Sequence, residues 1–301
     1  MYRELTSRPQ TGALHEALYG GEIVRFTALE PMRELAAFAR AFLEDRLAPH
    51  APTAIHRRLA RPALAETLAG AQRAFANAPE AKRLWTAVFE AAGLELQDTA
   101  RDRLILRFQP PAGAGEAAHD ARSTATVGFH RDTWGTQLYA QVNWWAPVYP
   151  ITAGRTFAFL PELFDRPLAN TSADFDLAEV IERNRRTPAD APRGEMVPRL
   201  LGPVDMAAAR PVIIAPGEVI AFSAQHAHVG VPNRTGLTRV SLETRTLRLS
   251  DHVAGRGAPN VDGRARWRAL GMFRRAADGE PLARALGVQP LEPFTGPWPR
   301  S

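Results

Sequence analysis

The sequence predicts an α+β protein in which a helical layer packs against a mainly β sandwich or barrel, and three observations predict it. Up to about residue 100 the apolar residues recur at helical spacing. From about residue 102 they alternate instead, and turns rich in Gly, Pro and Asn separate the alternating runs. Helices first and antiparallel strands afterwards is the pattern of segregated layers.

Taken in order, 22–27 alternates like a short strand and Pro31 stands where a helix can begin. Leu35, Phe38, Ala39, Phe42 and Leu43 then share one helical face, with Arg33, Glu34, Arg40, Glu44 and Asp45 mostly outside it, and Pro49 and Pro52 end the helix. A second helical region covers 53–93, broken near Pro62 and Pro79. Its stripes, Leu64, Leu68, Ala71 and Phe75, then Leu84, Val88 and Ala91, are core packing. The stretch 110–116 is a loop, and strands are expected at 102–108, 125–129, 137–145, 156–160, 212–214, 219–222 and 238–249. An insertion at 164–210 interrupts them, with a helix at 175–186 capped by Ser172 and then Pro188, Pro192, Pro198 and Pro203 in irregular chain. So long an insertion reads as a lid or binding loop. The C-terminal extension, 251–301, carries a loop at 255–263 and a helix near 264–277, and reads as support or interface. The expected organisation is one domain over 1–301: a helical layer at 20–100, a β core at 101–250 and the extension.

Composition narrows the function. Of 301 residues, 45% are hydrophobic and 23% charged, as in a globular protein. No uninterrupted apolar run approaches the ~18 residues that span a bilayer, so no membrane partner is expected. Residues 1–21 have acidic residues early and lack a secretory apolar core, which predicts a cytoplasmic location. With no cysteine there is no thiolate site, and any metal must sit on His, Asp or Glu, which favours iron or manganese over a structural zinc cluster. The net charge of +5 raises the question of nucleic acid. Lys82 is the only lysine, however, and the arginines are dispersed among acids, a coding bias and not a binding face, so the expected partner is a small molecule.

Two stretches carry chemistry. His130 and Asp132 lie two apart, on one side of a strand if the chain is extended there, and begin a 2-His-1-carboxylate iron site. Alone, His-x-Asp is a weak signal that describes a surface pair in a turn better than a metal site. The second stretch is 215–239, with a Pro216-Gly217 turn, an apolar strand, His226 and His228 on one strand face, a turn at 232–236 and Arg239 on the returning strand. Such a hairpin brings a histidine and an arginine to one cavity, as a dicarboxylate chelating a metal at one end and meeting a guanidinium at the other would require.

The Pro-Gly turn, the apolar strand, His228, Asn233 five residues on and Arg239 eleven residues on, with His130-x-Asp132 upstream, resemble the non-haem iron(II), 2-oxoglutarate-dependent oxygenases, and within them the phytanoyl-CoA dioxygenase-like group. The resemblance covers about 100–250, with weaker agreement at 21–46. It implies a double-stranded β-helix, a jelly-roll or cupin-like fold, with Fe(II), 2-oxoglutarate and O2 as cofactors. It implies His130, Asp132 and His228 as iron ligands and Arg239 as partner of the distal carboxylate of 2-oxoglutarate. His226 competes as third ligand, but Asn233 and Arg239 fall in register with His228. Ser241 shares the strand face of Arg239 and can add a hydrogen bond. The implied activity is that of a dioxygenase hydroxylating or otherwise oxidising a small polar metabolite, such as a natural-product intermediate, with release of succinate and CO2. Related halogenases have a small residue at the position of Asp132, so halogenation is not implied. Members often show Asn-Gly and then Pro-Gly-Ser-His where this chain has 154–164, and nothing here marks a CoA thioester as substrate.

Tyr139, Gln141 and Asn143 form one polar strand face, which in a jelly-roll turns to the cavity, making Gln141 and Asn143 candidates for contacting cosubstrate or substrate. Arg103, Arg107 and Arg155 are candidates for an anionic substrate group. His15, His50, His56, His119 and His252 have no partner at ligand spacing and are expected at the surface. The alternatives are a cupin-like metal enzyme that uses no 2-oxoglutarate, and a metal-free jelly-roll binding protein.

Overall fold

The computed structural model describes residues 1–10, 12–112, 126–186 and 197–295. His119, Ala125, Pro188, Pro192 and most of the expected 110–116 loop lie outside the described residues. In chain order the elements are β1 (Tyr2–Leu5), α1 (Ala13–Tyr19), β2 (Ile23–Phe26), α2 (Glu30–Arg46), α3 (Arg61–Asn77), α4 (Pro79–Ala91), β3 (Thr99–Arg101), β4 (Ile105–Gln109), α5 (Thr133–Thr136), β5 (Gln141–Pro147), β6 (Phe157–Phe159) and α6 (Leu177–Arg186). They continue with β7 (Arg210–Pro211), β8 (Val219–Ser223), β9 (His228–Gly230), β10 (Arg239–Arg248), α7 (Leu249–Val253), β11 (Trp267–Arg268), β12 (Arg274–Arg275), α8 (Leu282–Ala285) and β13 (Glu292–Pro293).

The larger sheet runs β1-β2-β8-β5-β10-β3-β12, and β4 pairs with the first half of β10. A smaller sheet runs β7-β6-β9. Period-two alternation sorts the side chains between layers. Val142, Trp144 and Ala146 of β5 enter one core with Leu35, Leu68, Phe75, Trp85 and Phe89 of the helices, and Trp144 stacks on Phe26 at 6.0 Å. Trp145 turns the other way, edge-on to Phe157 of the smaller sheet at 5.1 Å, and Phe159, Ile220 and Phe222 fill the space between the sheets. The result is an α+β fold with a mainly β core, two facing sheets of a jelly-roll with helices outside, as the sequence predicts. Among the described residues no helix is long and apolar enough to cross a membrane.

Five expectations need correction. Residues 212–214 form no strand; the strand nearest to them, β7, is Arg210–Pro211. The strand expected at 137–145 begins at Gln141, because Thr133–Thr136 make a helical turn that Gln137 ends with φ 51° in the left-handed region. Described residues of 125–129 form no strand, though His130 makes an isolated antiparallel bridge to His228, its N–H and C=O each bonding the partner's backbone at 3.0 Å. The helix at 175–186 begins at Leu177 and takes its cap from Asp176, whose carboxylate accepts from Ala178 N at 2.8 Å; Ser172 instead receives Arg264 N on its hydroxyl. No helix forms over 264–277: Trp267–Arg268 and Arg274–Arg275 are short strands around a 3-10 turn. Leu270 and Phe273 are buried as a helical pattern would have them, but a 3-10 turn also places residues three apart on one face, and Gly271 lies so close to Pro290 that a Cβ would come within 2.7 Å of it.

Candidate metal centre

His130, Asp132 and His228 meet at the mouth of the two sheets, each with a ligand atom within 4.8 Å of the others'. Different devices bring them there. The bridge between His130 and His228 fixes the two histidines backbone to backbone, with ring centroids 4.2 Å apart. Gly230 allows the approach, since a Cβ there would meet Thr126 Cγ2 and Val127 O at 2.8 Å. Asp132 sits at the start of the α5 turn, where its carbonyl accepts from Thr136.

The rings are aimed by their other nitrogens. His130 Nδ1 donates to Gly128 O at 2.9 Å and His228 Nδ1 to His226 O at 3.0 Å, which leaves Nε2 of each as a lone pair. Burial, with the like charge of His130, pulls His228 down to about 4, so its ring is neutral at ordinary pH and able to ligate. Burial alone would raise Asp132, but Arg245 and His130 outweigh it and hold the carboxyl well below the usual carboxylate range. Two imidazole nitrogens and a carboxylate oxygen form a donor set that fits a divalent iron-like ion.

His226 is not part of this set. Its Nδ1 faces Ser223 O at 3.2 Å and its Nε2 faces Gly21 O at 3.1 Å, both directed into the fold.

The three groups open into a cavity of about 710 Å³ including its mouth. Arg239 lines it, buried, with Nε and Nη1 lacking a hydrogen-bond partner among the described residues. Burial lowers its pKa to about 10, so it remains a cation at neutral pH. A buried guanidinium without an acceptor is costly and marks the place of an anion.

Other expected contacts fall differently. Asn143 donates to Asp132 Oδ2 at 2.6 Å, and Gln141 donates to Asn143 Oδ1 at 2.9 Å, so this pair braces the carboxylate. Ser241 is fully buried off the cavity wall, its hydroxyl given to Glu243 at 3.0 Å. Arg107 lines the cavity but is paired with Glu243 at 2.8 Å; Arg155 donates to Pro150 O, and Arg103 is exposed. Asn233 shapes the turn between β9 and β10, donating to Gln109 O and Leu237 O, both at 2.8 Å. His15, expected at the surface, is buried on the inward face of α1.

Sequence reasoning missed Glu243 and Arg245. Arg245 donates to Asp102 at 2.9 Å and stands 3.6 Å from Asp132 Oδ1. The signal was present: Arg239, Ser241, Glu243 and Arg245 form a polar stripe of period two on β10, opposite Val240 and Leu242.

No family model and no curated protein matches the chain. Among solved structures it is similar to the non-heme monooxygenase ThoJ in its apo form, with 17% identity over 78% of this chain and 77% of that one and a TM-score of 0.45. It is also similar to SnoK, a non-heme alpha-ketoglutarate-dependent carbocyclase from nogalamycin biosynthesis (14% identity, 84% and 95% of the chains, TM-score 0.44). A third is EvdO2 from Micromonospora carbonacea var. aurantiaca complexed with 2-oxoglutarate (14% identity, 81% and 94% of the chains, TM-score 0.43).

Proposed function

We propose that this chain is an Fe(II)/2-oxoglutarate-dependent dioxygenase of the phytanoyl-CoA dioxygenase-like kind that hydroxylates or otherwise oxidises a small polar metabolite, such as a natural-product intermediate. The observation that carries the reading is the unpartnered, buried guanidinium of Arg239 on the wall of the cavity that holds His130, Asp132 and His228. Iron with 2-oxoglutarate and O2 would supply the oxidising chemistry, with succinate and CO2 as coproducts.

The residues of the chain do the rest. His130 and His228 offer Nε2, and Asp132 offers a carboxylate that Asn143 orients and Arg245 keeps ionised. Arg239 receives the far carboxylate of a dianion through a guanidinium fork. Three guanidiniums (Arg107, Arg239, Arg245) face two carboxylates (Asp132, Glu243) on the cavity wall, so an anion entering beside a divalent ion meets net positive charge. Trp145, Phe157 and Phe222 close the wall with apolar surface, which limits water at the site.

Anaerobic addition of Fe(II) and 2-oxoglutarate tests the proposal. A weak visible charge-transfer band is expected from the wild-type chain and none from Asp132→Ala. Metal binding without a band would favour a cupin-like enzyme that uses no 2-oxoglutarate, and neither metal nor band would favour a binding protein.

A further inference from the structure

We infer that Asp262, in the C-terminal extension, is a positioning residue for the metal centre: it clamps the turn that carries His130 and Asp132 and joins it to the start of the 164–210 insertion. The inference rests on the metal-centre reading above.

Between the two ligands stands Arg131, which points away from the cavity and is fully buried. Its Nη1 lies 3.3 Å from Asp262, and its Nη2 donates to the carbonyls of Leu163 and Arg166. Trp134, two residues past Asp132 and also fully buried, donates its indole N–H to Asp262 Oδ1 at 2.8 Å. The other carboxylate oxygen accepts Leu168 N at 3.0 Å, and the Asp262 carbonyl accepts Asn170 Nδ2 at 3.0 Å. One buried acid thus holds both sides of the ligand turn and the first residues of the insertion.

The neighbours of Asp262 continue the grip. Gln137, held in the left-handed conformation that ends the α5 turn, donates to Ala265 O at 3.0 Å, and Tyr139 O accepts from Ala258 N at 2.9 Å. Residues 130–139 have little regular pairing of their own: one bridge at His130 and one helical turn. Their shape is therefore imposed from outside, by Asp262 through Arg131 and Trp134 and by Ala224 and Gln225 through Thr133. A carboxylate removed from water at this position is retained only if its partners satisfy it, and here every partner belongs either to the ligand turn or to the insertion. The two oxygens that hold Arg131 and Trp134 thus also tie the ligand turn to the chain around Leu168.

A purely structural ion pair would do none of this, and Asp251 serves as the comparison. It is equally buried, is paired with Arg256 at 2.8 Å and accepts from Tyr19 at 3.2 Å, yet none of these partners belongs to the ligand turn. The test uses the chain 1–301 titrated anaerobically with Co(II), read by its visible ligand-field bands, alongside thermal melting. Asp262→Asn keeps the volume and removes the charge; it is expected to weaken Co(II) binding about tenfold and to shift the bands, as loss of an outer-shell partner does. Asp251→Asn is expected to lower the melting temperature while leaving Co(II) affinity and spectrum at wild-type values. Wild-type affinity and spectrum in Asp262→Asn would overturn the inference. Should that variant fail to fold, Trp134→Phe, which removes a single bond to Asp262, is read in the same way, and an unchanged Co(II) spectrum there is equally fatal. Absence of Co(II) binding by the wild-type chain would instead remove the metal-centre reading itself.

Discussion

Arg239 and Asn143 show how much single side chains decide here. The Nε and Nη1 of Arg239 have no acceptor among the described residues, whereas Arg107 is satisfied by Glu243 and Arg245 by Asp102, so of the three cavity arginines Arg239 is the one left to receive an anion. Arg239→Leu is expected to raise the concentration of 2-oxoglutarate needed for the visible band by about 10- to 100-fold, the worth of a lost charge-assisted hydrogen-bond pair; an unaltered requirement would remove its role. Asn143 donates to Asp132 Oδ2 at 2.6 Å, leaving the other oxygen facing His130 Nε2 at 3.7 Å. Asn143→Leu should therefore weaken Co(II) or Mn(II) binding by about tenfold, and Asn143→Asp by more, because it sets a like charge against the ligand; direct metal titration measures both. His130, Asp132, His228 and Arg239 were singled out through the family resemblance; the structure brings the first three together although Asp132 opens a helical turn and not a strand. Asn143 was legible only as an inward-facing residue, since its partner lies on a turn whose path the sequence does not encode locally.

At the scale of elements, the closest approach in the site is between β9 and the segment carrying His130. Any side chain at Gly230 would strike the backbone of Val127 at 2.8 Å, and backbone cannot move aside as a flexible side chain can. Gly230→Ala is expected to destabilise the fold by about 1–3 kcal/mol, the usual cost of overpacking, and to weaken metal binding as 126–130 shifts. Urea melts with and without Co(II) separate the two effects: the stability gained from the metal should shrink in the variant. Helices α2, α3 and α4 follow from Pro31, Pro62 and Pro79 near their starts and from continuous apolar stripes. The 264–277 stretch misled because Trp267, Leu270 and Phe273 are three apart, a spacing shared by α and 3-10 geometry, whereas its backbone pairs with remote strands, β11 with β13 and β12 with β3.

For the whole molecule, the larger sheet unites both ends of the chain, from β1 at Tyr2–Leu5 to β12 at Arg274–Arg275, so the layers labelled by sequence order are not layers in space. One consequence is the burial of His15, which α1 presses into the fold beside Arg248, Asp251 and Asp98. Burial, reinforced by Arg248, lowers its pKa from 6.5 to about 4. Above pH 6.5 the ring is neutral in both folded and unfolded chains; below it the unfolded chain gains a proton that the folded chain refuses until about pH 4. Stability is therefore expected to fall as the pH drops through that window. His15→Gln should lose less stability than the wild type between pH 7 and pH 5, as urea midpoints at the two pH values would show, and equal losses would rule out this contribution.

By itself the sequence determined the α+β class and most strands of the core, because periodicity expresses interactions between neighbours in the chain. Tertiary structure alone decided that Asn143 braces Asp132, that Ser241 serves Glu243, and that Asp262 grips the ligand turn. Each of those outcomes depends on which distant backbone supplies a carbonyl, a carboxylate or a steric limit, and pairing of that kind exists only once the sheets have closed.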